Sequence, residues 1–250
     1  MPQAEVAKYY NMLTITFLQG LVIILILTHI TIISVTLYLH RCQAHRGVEF
    51  HPIVSHFMRF WLWMTTGMTT KAWVAVHRKH HQNTDVEGDP HSPHVFGIKK
   101  LLLGGWSLYH EATKDPNMVL KYGMGTPKDR AEIFYTTHHS RGILVMLAID
   151  VLLFGWAGFL IWGIQMIWIP FWAAGFINGI GHWWGYRNGD TDDHSRNVGP
   201  IGIFIGGEEL HNNHHLDPAS PKFSRKWFEF DAGWMYLTIL SKIGLAKIRQ

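Results

Sequence analysis

Histidine is the residue type that stands out in this sequence, with 18 copies against 22 lysines and arginines and 18 aspartates and glutamates. Neither a hydrophobic core nor a solvated surface needs so many imidazoles, whereas metal binding and proton transfer use them directly. Several of the histidines stand at short, repeated spacings. The motifs are H-x-x-H-H at His77–His81 and at His211–His215, His40 with His45, and Asn178 with His182.

Helical geometry indicates what these spacings can do. On a helix, positions i, i+3 and i+4 fall within about 100° of one another, so each H-x-x-H-H motif is predicted to direct three imidazoles to one point. Asn178 and His182 are four residues apart and should share a face. His40 and His45 lie about 140° apart on an ideal helix. They can converge only if the helix ends or distorts between them, which we expect near Arg41.

The number of candidate ligands predicts a paired metal site. Neutral imidazole suits Fe, Cu, Zn and Ni, so the ligand type does not select the metal. The single cysteine, Cys42, excludes zinc sites built on paired thiolates, and it is expected to point away from the metal. Nine imidazoles are too many for one ion and suit two: His40, His45, His77, His80, His81, His182, His211, His214 and His215.

Long apolar segments must position these motifs. The 250 residues are 48% hydrophobic and 16% charged, against roughly a quarter charged in a soluble domain. One span is predicted near residues 13–39, because a helix of about 20 apolar residues crosses a bilayer. The apolar region 142–186 is about twice that length. It is predicted to form a helical hairpin with spans at 142–163 and 165–186.

The remaining segments predict a polar cap on one side of the membrane. Residues 54–76 are apolar but carry Arg59, Lys71 and several Trp and Thr residues, which favours a helix in the membrane interface over a further crossing. Segments 40–141 and 187–250 are assigned to the cap, and their lysines and arginines predict that it faces the cytosol. The net charge of +4 is scattered between apolar spans, which argues against a nucleic-acid partner. The expected fold is a single all-α integral membrane domain, with about three spans and interfacial helices.

A redox metal pair beside a membrane predicts a reaction on an apolar substrate. No side chain breaks an unactivated C–H bond by acid–base chemistry, so an oxidant derived from O2 is the plausible agent and an acyl chain the plausible substrate. Asp89, Glu208 and Asn212 are candidates for holding the N–H groups of metal-bound imidazoles.

The order and spacing of the histidine motifs resemble those of the membrane-bound fatty acid desaturases. The string from Asn178 through His182 to Arg187 is similar to the acyl-CoA, delta-9 type branch. This resemblance implies a di-iron enzyme that uses O2 and two electrons to insert a cis double bond into a saturated acyl chain. It implies a fatty acyl-CoA or acyl-lipid substrate and a separate electron donor, a ferredoxin or a cytochrome with its NAD(P)H reductase.

The resemblance also assigns roles to single residues. The nine histidines would be the iron ligands, Asn178 would meet iron through a water molecule, and Trp73 would lie beside the acyl tunnel. The chain has room for one span before the first motif, where larger relatives have two, so it resembles a short bacterial form in the cytoplasmic membrane.

Two other classes of protein fit parts of the pattern. A fatty acyl or alkane hydroxylase would use the same metal pair, because the same oxidant can add OH instead of removing a second hydrogen. A non-enzymatic metal-binding membrane protein, such as a transporter or a haem anchor, should carry ionisable groups inside its spans. Here the motifs lie at or beyond the predicted span ends.

Overall fold

The computed structural model describes residues 15–249, and within them the fold is mostly helical. The helices are α1 Phe17–Ser34, continued by a π-helical segment Val35–Ala44, α2 Pro52–Thr66, α3 Thr70–Gln82, α4 Pro93–Phe96, α5 Ile98–Thr113, α6 Pro116–Tyr122, α7 Arg130–Thr137, α8 His139–Phe154, α9 Ala157–Ile169, continued by a π-helical segment Pro170–Ile177, α10 Asn178–Ile180, α11 His211–Leu216 and α12 Ala232–Lys242. Four short strands complete the set: β1 Val48–Phe50, β2 Ile201–Gly202, β3 Phe230–Asp231 and β4 Ala246–Ile248.

Two helical stretches of the described residues are long and apolar enough to cross a membrane, Phe17–Ala44 and Ala157–Ile180. A third crossing results if α7 and α8, which meet at an angle of 81°, are taken as one broken span. The prediction of an all-α membrane fold with about three spans is therefore confirmed.

The hairpin between the second and third apolar segments turns earlier than predicted. Helix α8 ends at Phe154 and α9 begins at Ala157, so the turn lies at Gly155 and not near residues 163–165. Gly155 has φ 58° and ψ −134°, a conformation that suits glycine because it has no Cβ. Gly163 instead lies inside α9, and a glycine in an apolar helix is a poor marker of a turn.

The segment predicted as one interfacial helix over residues 54–76 forms two helices, α2 and α3. They are separated by residues 67–69, where Gly67 has φ 62° and caps α2 in the left-handed conformation. Trp63 and Met64 of α2 pack with Met146 of α8, and Trp61 donates a hydrogen bond to Thr31 of α1 at 2.9 Å. The break lets α3 turn away from α2 and carry His77–His81 to the site.

Two small sheets and a buried ion pair fix the polar segments to the end of the first spanning helix. β1 pairs antiparallel with β4, Val48 opposite Ile248, and β2 pairs parallel with β3, Ile201 opposite Phe230. Arg41, 1% exposed, donates to Asp231 at 2.8 Å and lies over the ring of Phe223. These contacts place residues 206–231 beside His40.

Candidate metal centre

The first pair of histidines lies on a helical segment of altered pitch. The chain changes from α-helical to π-helical geometry over Val35–Ala44, and the amide of His45 donates to the carbonyl of His40 at 3.1 Å. Because a π-helix pairs residues five apart, it brings together two side chains that an α-helix would separate. The ring centroids of His40 and His45 are 4.9 Å apart. The predicted distortion between them is present, as a wider turn rather than a helix end.

All nine predicted histidines converge, and they form two adjacent groups in which the candidate ligand atoms lie within 4.8 Å of one another. The five-histidine group contains His40, His45, His77, His81 and His214. The four-histidine group contains His80, His182, His211 and His215. Histidine groups suitable for metal are thus present at the membrane end of the polar segments.

The two H-x-x-H-H motifs are each divided between the groups, contrary to the prediction that each directs three imidazoles to one point. In each motif the residues at i and i+4, His77 with His81 and His211 with His215, belong to one group, whereas the i+3 residue belongs to the other. On a helix, i+4 lies about 40° from i, whereas i+3 lies about 60° to the opposite side. The i+3 imidazole therefore extends toward the neighbouring group.

Carboxylates accept hydrogen bonds from the outer nitrogens of four of these imidazoles. Two were predicted from the sequence: Glu208 accepts from His40 Nδ1 at 2.8 Å, and Asp89 accepts from His80 Nδ1 at 2.9 Å. A carboxylate in this position fixes the ring orientation and raises the basicity of the other nitrogen. Glu208 also accepts from the hydroxyl of Thr36.

Two further carboxylates were missed in the sequence. Asp85 accepts from His182 Nδ1 at 2.8 Å, and Asp193 accepts from His215 Nδ1 at 2.7 Å. Asp85 lies four residues after His81, in a segment rich in acids, which offered a weak signal. Asp193 follows Asp192 and precedes His194, and no pattern distinguishes it from its neighbour.

Asn212 does not have the role predicted for it. Its side-chain oxygen accepts from the amides of Asn188 and Gly189, and its amide donates to the Gly189 carbonyl and to Ser195. It therefore holds the loop after His182 against α11 and supports an imidazole only indirectly. On a six-residue helix such as α11, a side chain next to His211 points away from the histidine groups.

The electrostatics favour the neutral form of several of these imidazoles and the ionised form of the Asp193 carboxylate. Burial, reinforced by neighbouring imidazoles, holds the pKa of His45, His77 and His81 well below the usual value of 6.5. Burial lowers the pKa of His215 to about 4, even though Asp193 opposes the shift. Burial alone would raise the pKa of Asp193. The hydrogen bond from His215 and the charge of His215 have the larger effect, so the pKa of Asp193 is lowered. Neutral imidazole is the form that binds a metal ion.

Unpaired and closely opposed nitrogens indicate that the groups suit metal ions. His80 Nε2 and His215 Nε2 are buried and have no hydrogen-bond partner among the described residues. The Nε2 atoms of His182 and His211 are 2.9 Å apart, and those of His40 and His214 are 3.0 Å apart. Two nitrogens at right angles about 2.1 Å from one ion would be about 3.0 Å apart. The donor set therefore fits a metal in each group.

An apolar cavity of about 530 Å³ ends at the histidine groups. Trp73, His77, His91 and Asn178 line its inner end, and residues of α5 and of the α9 helix with its continuation form most of the rest. The Trp73 ring stacks on His77 at a centroid distance of 5.0 Å, and its role beside an acyl tunnel stays a prediction. Asn178 faces the same space.

His91 and Cys42 lie close to the centre without belonging to either group. His91 is 5% exposed and stacks on His80 at 4.4 Å, and its amide donates to Asp89. Cys42 lines a separate polar cavity with Gln43 and Arg46. Cys42 thus points away from the histidines, as expected.

Fold and site together define a membrane protein whose paired histidine groups stand at the end of an apolar cavity. A sequence model described as fatty acid desaturase matches residues 16–237. The chain belongs to the fatty acid desaturase family.

Named relatives from several organisms align with most of this chain. It is 30% identical to the sn-1 stearoyl-lipid 9-desaturase of Synechocystis sp. over 86% of its length and 66% of the relative's. It is 33% identical to delta-9 acyl-lipid desaturase 1 of Arabidopsis thaliana, over 86% and 70% of the two lengths. The icosanoyl-CoA 5-desaturase of Limnanthes douglasii is 29% identical, over 86% of this chain and 60% of the relative's length.

Proposed function

We propose that this protein is an O2-dependent desaturase that inserts a cis double bond, at the delta-9 position, into a saturated fatty acyl chain. The observation that carries the proposal is the apolar cavity of about 530 Å³ that ends at His77 and Asn178, beside both histidine groups. A cavity of this size and lining suits a hydrocarbon chain and offers no charged partner within its length. The reaction balances as –CH2–CH2– plus O2, two electrons and two protons giving –CH=CH– and two water molecules.

Two iron ions are the proposed cofactors, one held by the five-histidine group and one by the four-histidine group. Bound there, they would supply the redox chemistry that uses O2 to remove two hydrogens from the acyl chain. The chain's own residues orient this site. Asp89, Asp85, Asp193 and Glu208 fix the rings of His80, His182, His215 and His40, and Trp73 closes the cavity wall over His77.

The proposal includes a cytosolic orientation of the histidine groups in a bacterial cytoplasmic membrane. Arg41 and Arg46 follow the first spanning helix and most other basic residues lie in the polar segments, which favours the cytosolic side for them. The two electrons would come from a ferredoxin, or from a cytochrome with an NAD(P)H reductase.

Mass spectrometry of the product tests the reaction against its main alternative. Incubation with a saturated acyl substrate, O2 and an electron donor should give a product two mass units lighter. A product sixteen units heavier would mean that the protein is a hydroxylase. Purified protein that contains zinc and takes up no iron under reducing conditions would contradict both oxygen-dependent reactions.

The carrier of the acyl chain is tested in a separate assay. Membranes containing the protein are incubated with labelled acyl-CoA and, in parallel, with labelled phospholipid. The double bond should appear first in the pool that is the direct substrate, which distinguishes an acyl-CoA from an acyl-lipid enzyme. His139→Ala, a change at an exposed position at the start of α8 and outside both histidine groups, is the matched control for nonspecific loss.

A further inference from the structure

The C-terminal helix α12 packs beside the first spanning helix. The contact lies about three turns before His40, further into the span than the histidine groups. Tyr236 Oη and His29 Nε2 form a hydrogen bond of 2.9 Å, and their rings lie 5.7 Å apart. His29 is eleven residues before His40, which is roughly 16 Å along a helix at about 1.5 Å per residue. Leu237 belongs to the same buried cluster as Ile32. This helix therefore lies alongside a part of α1 that is inside the span.

The loop that contains Gly206 also lies against the first spanning helix, near Ile32 and Thr36. The backbone of Gly206 is so close to the spanning helix that an added Cβ would meet Thr36 at 2.8 Å and Ile32 at 3.3 Å. The three residues before Gly206 are apolar, and Phe204 is 72% exposed. An aromatic side chain that lies next to a spanning helix, and that none of residues 15–249 covers, needs an apolar environment.

The outer face of α12 is also apolar. Met235 and Ile239 are four residues apart and share one face, and Ile243 directly follows the last helical residue; Ile239 is 49% and Ile243 63% exposed. Leu237 on the opposite face is fully buried. The helix thus has a buried side against α1 and an apolar side that is exposed in the part of the chain that the structure describes.

Charged residues are absent from this face and are concentrated at its ends. The only acids between residues 227 and 241 are Glu229 and Asp231, and both are buried and hydrogen-bonded. Exposed basic residues flank the stretch on both sides: Lys222, Arg225 and Lys226 before it, and Lys242, Lys247 and Arg249 after it. Lysines and arginines at the edge of an apolar surface are typical of contact with lipid phosphates.

We propose that α12 and the loop 201–204 are inserted into the lipid leaflet on the side of the histidine groups, as an interfacial element that does not cross the membrane. The basic residues on either side lie at the level of the headgroups. The polar composition of segment 187–250 predicts a purely aqueous cap. In this proposal, part of the segment is instead in contact with lipid. Contact with lipid is favoured over contact with a partner protein because α12 lies alongside the spanning helix α1 and exposed basic residues flank its apolar face.

Site-directed fluorescence of the full chain in vesicles tests this placement. In a Cys42→Ser background, Ile239→Cys is labelled with a polarity-sensitive fluorophore in vesicles of phosphatidylcholine and phosphatidylglycerol. Nitroxide-bearing lipids report contact with acyl chains, and aqueous iodide reports contact with water. The matched controls are Ile26→Cys, on the exposed face of α1, and Asn117→Cys, on exposed α6. Phe204→Cys is a second probe in an independent element, and chromatographic behaviour in detergent verifies folding.

We expect the label at position 239 to be quenched by nitroxide lipids to within about twofold of the label at 26. Iodide should quench it several-fold less than the label at 117. A label at 239 that behaves like the one at 117 would overturn the proposal. Protection from both quenchers would also overturn it, because it would mean that a second protein surface covers α12. The readout requires neither metal nor turnover, so it is independent of the proposed desaturase activity.

Discussion

His80 and His81 are neighbours in the chain but belong to different groups, and this has a measurable consequence. Replacing any one of His80, His81, His214 or His215 with Ala should abolish turnover while leaving membrane insertion intact. Each change also removes one nitrogen from one group only, so we expect the iron content to fall from two toward one per chain. Product analysis and metal quantification of membrane-extracted protein measure both effects.

His139→Ala is the control for these variants, since His139 is exposed and lies outside the lining of the apolar cavity and outside both histidine groups. It should keep its iron content and its turnover. Retained activity in two of the four ligand variants would refute the assignment of a metal to each group.

The carboxylates that hold the imidazoles should matter nearly as much as the ligands. Asp85→Asn and Asp193→Asn replace an ionised acceptor by a neutral amide, so His182 and His215 lose a strong partner for Nδ1–H. Such changes typically cost about 10- to 100-fold in metal affinity or activity. Titration with iron and measurement of turnover test the prediction.

Asp192→Asn is the matched control because Asp192 is adjacent to Asp193 in the chain and exposed. Equal effects of the changes at 192 and 193 would mean that charge near the loop matters, rather than the hydrogen bond to His215.

Cys42 lies between two candidate ligands but faces a different cavity. Cys42→Ser should therefore retain turnover and iron content. An inactive variant that still inserts into membranes would show that the thiol contributes to the site.

At the scale of elements, the close approach of α5 to the second spanning helix shapes the cavity. A Cβ on Gly105 would overlap the carbonyl of Ala174, whereas the space around Gly163 within α9 is open. Gly105→Ala should force the helices apart and cost about 1–3 kcal/mol of unfolding free energy. Gly163→Ala should be neutral or stabilising by up to about 1 kcal/mol, because alanine is the better helix former.

Thermal unfolding of both glycine variants in the same detergent measures this difference, and the chain length of the preferred substrate provides a second readout. Equal stabilities of the two variants would contradict the packing described for α5.

At the scale of the whole molecule, the histidine groups join four segments that are distant in sequence. The nine imidazoles come from residues 40–45, 77–81, 182 and 211–215. Ions bound by both groups would cross-link these segments, so chelation should lower the unfolding temperature. Unfolding scans before and after removal of metal test this, and reloading with iron should restore the higher temperature.

The metal-free protein should also lose stability on acidification. In the unfolded chain the His215 imidazole takes up a proton near pH 6.5, whereas in the folded chain its pKa is about 4. Between these values the unfolded state binds more protons, so folding stability falls as the pH is lowered through this window. Unfolding temperatures at pH 7.5, 6 and 5 measure the trend. A metal-free protein that becomes more stable between pH 7.5 and 5 would contradict it.

The sequence by itself determined which histidines are candidate ligands and what the class of fold is. Apolar stretches long enough to span a bilayer can be read without a structure, because the bilayer imposes a length on them. The spacing of His40 and His45 predicted a distorted helix for the same kind of reason, since helical geometry relates positions close in sequence. The turn at Gly155 was missed because a glycine in an apolar segment fits a turn and a helix equally well.

Only the tertiary structure decided how the imidazoles are shared and what holds them. Helical periodicity separates His80 from His77 and His81, but the packing of α3 against α11 and the π-helical segment determines that His80 joins His182. Asp85 and His182 are 97 residues apart, so no local pattern could pair them. The position of α12 beside His29 depends on the same long-range packing. Local sequence fixes which residues share a face, whereas the partner of that face depends on contacts between distant segments.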